Sequence, residues 1–167
     1  MTEVPAAISD YLEHDHGRID DALNRAVSAQ PFDAAAYAEF RGALLRHIGM
    51  EEKILFPAAR AARGGRPLDR AERLHLDHGA LAALLVPNPT TAILDAIRTI
   101  LRRHNALEEG PDGVYAECER LTGFDIPTIL TRLQQAPPVA LAPHVDSPIA
   151  MQSLRAALQR AGYGFAI

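Results

Sequence analysis

The chain has 167 residues, 48% of them hydrophobic and 23% charged, with a formal net charge of −4. That is about one domain's worth of ordinary globular composition, which excludes a disordered tail protein and a basic nucleic-acid footprint. No run approaches the roughly 18 apolar residues of a membrane span, and MTEVPAAISD lacks the basic and apolar regions of a secretory leader. The single cysteine, Cys118, excludes an internal disulfide and fits a reducing cytosol, so the expected location is cytoplasmic. Seven histidines stand out against that background.

Ala and Leu are abundant and strand-forming residues sparse, so the expected class is all-α. A first helix is expected from near Pro5 to about Gln30, with the apolar stripe Ile8, Leu12, Ile19, Leu23, Ala26 and His16 in its gap. A second follows Asp33 as N-cap, and its stripe of Tyr37, Phe40 and Leu44 continues into His47, Glu51 and Ile54 before Pro57 kinks or ends it. Gly64-Gly65-Arg66-Pro67 is a loop. A third helix from near Asp69 carries Ala71, Leu74, His78, Leu81 and Leu85, with His75 about 60° from His78 around the axis. Thr90 or Thr91 caps a fourth, whose stripe is Ile93, Ile97, Leu101, His104 and Glu108, and Gly110-Pro111 stops it.

Beyond Gly110 come two short helices, from Asp112 to Leu121 and from about Pro127 to Gln135. Val114, Tyr115, Cys118 and Leu121 share one side of the first of them. A proline-rich linker precedes a last amphipathic helix, capped by Ser147 with Pro148 at its first position, bearing Ile149, Leu154 and Leu158 and ending near Gly162. The expected architecture is an up-down-up-down four-helix bundle with extra short C-terminal helices: residues 1–135 for the bundle and its helical extension, 136–167 for linker and terminal helix.

Two patterns recur. Asp15-His16-Gly17 returns as Asp77-His78-Gly79, and His47-x-x-x-Glu51-Glu52 as His104-x-x-x-Glu108-Glu109. The bundle thus reads as two related helix pairs, each with a His on its first helix and a His-x-x-x-Glu on its second. The i, i+4 spacing sets imidazole and carboxylate on one helical face. These groups interrupt apolar stripes, and a carboxylate buried without compensation costs several kcal/mol. The sole lysine is Lys53 and no arginine lies in a stripe, so a metal ion is the compensation that suits the residue types. Iron, manganese or zinc fit by ligand type; six or seven ligands exceed the about four of a mononuclear zinc site and point to two metals.

As a set, these motifs resemble the hemerythrin-like, or HHE cation-binding, family of four-helix-bundle di-iron proteins, over about residues 8 to 109. The resemblance implies a non-haem centre of two iron ions, bridged by Glu51 and Glu108. It implies His16 and His47 on one metal, and His78 and His104, joined by His75, on the other. It also implies an open position for dioxygen, peroxide or nitric oxide. The chain departs from the oxygen carriers of the family: His75 and His78 are three apart rather than four, and Glu108 follows His104 by four residues where Glu109 stands at five. Those departures favour the broader bacterial group linked to sensing or handling oxygen, peroxide, nitric oxide or iron.

By position His14 and His144 are solvated, Glu52 and Glu109 face solvent or hydrogen-bond a ligand, and Cys118 is a small buried hydrophobe. A rival reading takes Glu13-x-x-His16 and Glu72-x-x-His75 as ferritin-like Glu-x-x-His elements, which leaves His47, His78 and His104 without a role. The alternatives to a binding or sensing protein are a di-iron enzyme reducing peroxide or nitric oxide, and an interaction module with a structural metal. The terminal helix either docks on the bundle, covers an open end, or joins two copies in a homodimer.

Overall fold

The computed structural model describes residues 7–167. The helix start expected near Pro5 lies outside the described residues. Among them the chain is all-helical, without strands, as the composition demands. Two compact units are built: residues 7–68 with Glu108–Leu141, and Asp69–Leu107 with Ala142–Ile167.

In the first unit, α1 (Ile8–Ser28) packs along α2 (Ala34–Met50). Leu12, Leu23, Phe40 and Leu44 are buried, each worth about 1.5–3 kcal/mol. Asp33 caps α2 as expected, its side chain accepting from the Ala36 amide at 3.0 Å. The second helix does not end at Pro57. A π turn over Glu51–Leu55 carries it into α3 (Phe56–Ala62), with the Phe56 amide donating to the Glu51 carbonyl. Pro57 has no N–H to give the carbonyl four residues back, and its ring would collide with it in a regular helix; the wider turn makes room. The extra residue rotates the remainder of the helix, so Leu55 is buried where the stripe predicted Ile54.

The first unit is completed by α6 (Val114–Thr122), packed against α1 and α3, and α7 (Ile126–Gln134), packed against α1 and the π turn. Arg46 of α2 donates from Nε to the Ala136 carbonyl at 2.9 Å and from Nη2 to that of Leu133 at 3.3 Å. It thereby ties α2 to the carbonyls at the C-terminal end of α7.

The second unit contains α4 (Ala71–Leu84), nearly all of α5 (Thr91–Glu108) and α8 (Pro148–Arg160). Of the two candidate caps for α5, Thr90 serves, accepting from the Ile93 amide at 3.2 Å. Ile100 is buried where the stripe predicted Leu101. The linker before α8 has no regular structure but is pinned: the Val145 amide donates to the Val86 carbonyl at 3.0 Å, and Asp146 accepts from the Asn88 amide at 2.8 Å. Ser147 caps α8 as expected, and the helix packs on α4 with Leu154 and Leu158 buried. Of its expected stripe, Leu154 and Leu158 are used inside this unit, whereas Ile149 in the first turn is exposed.

Candidate metal centre

His16 of α1, His47 of α2, Glu51 at the head of the π turn and Glu108 at the end of α5 meet in the first unit. One ligand atom from each lies within 4.8 Å of the others. All four are buried, the carboxylates completely. The His16 Nε2 to Glu108 Oε2 distance is 3.3 Å, as is that from His47 Nε2 to Glu51 Oε1. The i, i+4 pair of α2 therefore turns both groups to one point, as its spacing predicts.

The imidazoles are held from behind. His47 Nδ1 donates to Asp15 Oδ2 at 2.8 Å, and His16 Nδ1 lies 2.6 Å from Glu109 Oε1. A carboxylate on Nδ1 fixes the proton there and leaves the Nε2 lone pair for a metal. Arg18 donates to the other Asp15 oxygen at 3.1 Å. Burial raises the Asp15 pKa, but His47 and nearby arginines outweigh it and hold the carboxyl below its ordinary value.

Burial likewise opposes a charged His47, yet Glu51, Asp15 and Glu108 together push its pKa up to about 10. Carboxylates crowded around buried imidazoles make a site rich in negative charge. A cation would offset it. Two imidazole nitrogens and two carboxylates are a donor set suited to a first-row divalent ion.

Tyr115 reaches the same point from α6. Its hydroxyl lies 3.0 Å from His16 Nε2, 3.1 Å from His47 Nε2 and 3.0 Å from Glu108 Oε2, and donates closely to Glu51 Oε1. Burial, with Glu51 and Glu108 beside it, raises its pKa well above the ordinary phenol value. Gly113 permits this return of the chain: a Cβ there would stand 2.2 Å from the Glu108 carbonyl oxygen and 2.3 Å from that of Glu109.

The second unit repeats the arrangement with its own residues. His78 Nε2 and His104 Nε2 are 3.1 Å apart, and His104 Nδ1 lies 3.3 Å from Asp77 Oδ2. Asp77 Oδ1 accepts from Arg73 at 2.6 Å and from the Tyr163 hydroxyl at 2.8 Å. In each unit the aspartate of the Asp-His-Gly repeat supports the histidine of the other helix, not its own neighbour. That crosswise contact gives the repeat its reason.

Of the seven expected ligands, His75 stands apart, exposed on α4 while His78 is buried. Being three residues away set it beside the stripe, and the interior falls on the other flank. His14 is exposed and His144 half-buried. The ferritin-like alternative fails at its glutamates: Glu13 accepts from the Gly110 amide at 3.2 Å and Glu72 is exposed. Asp15, Asp77 and Tyr115 had no role assigned by sequence. The repeat itself was the signal for the aspartates, whereas nothing in the spacing marked Tyr115.

An all-helical chain with a buried cluster of imidazoles and carboxylates defines a metal-binding helical protein. The family model of the hemerythrin HHE cation-binding domain matches residues 7–111, more than half of the sequence, and the chain belongs to that family. No curated protein and no solved structure is a significant match. Among the described residues no helix is long and apolar enough to cross a membrane.

Proposed function

We propose that this is a non-haem di-iron protein that binds or senses dioxygen or another small redox ligand such as peroxide or nitric oxide. His16, His47, Glu51 and Glu108 would hold one iron, and His78 and His104 are the proposed imidazole ligands of the second. The observation that carries the reading is the buried His16–His47–Glu51–Glu108 cluster in a chain of a cation-binding family. When bound, iron supplies a Lewis-acidic, redox-active centre for a small ligand. The chain's own groups orient the imidazoles through Asp15 and Glu109 and shield the centre from water. Closure of the cluster, with each member at most 8% exposed, favours a diatomic or similarly small ligand over an organic substrate. A single cysteine supports operation in the cytosol.

The test adds peroxide or air to iron-loaded protein while following its visible spectrum. A binder or sensor gives one stoichiometric change. Continuous catalytic consumption of peroxide would replace this reading by a peroxide-reducing enzyme, and no spectral response to any of the three ligands would contradict it.

A further inference from the structure

We propose that the phenol oxygen of Tyr115 is a direct ligand of the metal held by His16, His47, Glu51 and Glu108. The inference rests on the metal-binding reading above and adds a donor from outside the stretch matched by the family model, which ends at residue 111.

First-row ions hold nitrogen and oxygen donors at about 2.1 Å, so two donors at right angles around one ion stand about 3.0 Å apart. The Tyr115 oxygen stands 3.0, 3.1 and 3.0 Å from His16 Nε2, His47 Nε2 and Glu108 Oε2, and 2.5 Å from Glu51 Oε1. A vertex of an octahedron has four neighbours at that separation. The pairs His16–Glu108 and His47–Glu51, each at 3.3 Å, have the spacing of two further edges. The hydroxyl is thus at donor-to-donor distance from the set and not at the shorter distance of an ion.

Hydrogen bonding alone accounts poorly for this crowding. A phenol has one proton to donate. Here the phenol oxygen stands at hydrogen-bond distance from two carboxylates and two imidazole nitrogens, and its one proton can go to only one of them. A cation among the five satisfies all of them. Coordination breaks the phenol O–H bond as the metal–oxygen bond forms, the proton leaving to solvent.

The experiment loads the full chain anaerobically with ferrous salt, oxidises it in air, and records the visible and resonance Raman spectra. A phenolate-to-iron charge-transfer band with enhanced tyrosine ring vibrations is expected. Tyr115→Phe should lose it, whereas the control Tyr37→Phe, at another buried phenol, should keep it. Iron-loaded wild-type protein without phenolate vibrations would overturn the inference and leave the metal-binding reading standing. Retention of the signal in Tyr115→Phe would overturn it equally, and failure of wild-type protein to load iron would overturn both. The wild-type spectrum decides even where the variant does not fold.

Discussion

Asp15 shows how a residue without direct contact to a metal shapes the centre. Its carboxylate fixes the proton on His47 Nδ1 at 2.8 Å and is itself anchored by Arg18. Replacing Asp15 by Asn keeps the volume and removes the charge; metal affinity measured by competition with a chelator should fall about 10–100-fold with helicity unchanged. An unchanged affinity would remove Asp15 from the account. The Cys118 thiol offers a separate residue-scale test. Fully buried, it has its pKa pushed up to about 12, chiefly by burial and then by Glu117 and Glu51. Its thiolate fraction is therefore negligible from pH 7 to 9, and alkylation of the native protein should be negligible throughout that range. Denaturant should make the thiol reactive at once; rapid native-state labelling at pH 8 would contradict the burial. Most of the ligating candidates were legible because each breaks an apolar stripe, as His16, His47, Glu51, His78, His104 and Glu108 do. Tyr115 was not, because an aromatic on an apolar face looks the same whether it fills a core or faces a cluster.

At the scale of elements, the periodicity was readable along most of each helix and failed by one position at Ile54 in the π turn and at Leu101 in α5. Asp33 and Ser147 cap as their side-chain chemistry predicts, and Gly162 adopts φ 80° just past α8. Pro57 was read as a kink or an end of the helix; the helix continues through a π turn, which moves burial from Ile54 to Leu55 and sets Glu51 at the head of the irregular turn. A stripe drawn at 3.6 residues per turn carries no information on such an insertion. The α5–α6 connection is the element whose geometry is least tolerant. Gly113→Ala would drive a methyl group into two backbone carbonyls. Neither can retreat as a flexible side chain would, so the variant should lose at least about 1 kcal/mol in denaturant unfolding. Through displacement of Tyr115 it should also lose any phenolate signal of the loaded protein. Wild-type stability in that variant would show that the turn relaxes freely.

For the whole molecule, the all-helical class was legible in the composition, and the family in a motif set that no single segment contains: the two Asp-His-Gly and two His-x-x-x-Glu copies. The role of the C-terminal region was harder to read, because an amphipathic helix fits several surfaces equally well. In the structure α8 covers α4, and Tyr163, just past it, donates to Asp77 while Arg73 and Arg103 lie over its ring. The terminal segment thus supports the carboxylate that supports His104, which ties a region beyond the family match to a proposed ligand.

The central claim is that buried imidazoles and carboxylates hold iron. Anaerobic incubation of the full chain with ferrous salt, desalting and elemental analysis test it most directly. The account predicts about two irons per chain, as in di-iron helical bundles, with marked loss in a His47→Ala Glu51→Ala double variant that remains helical. An iron-to-protein ratio near zero, or full loading of that variant, would contradict it.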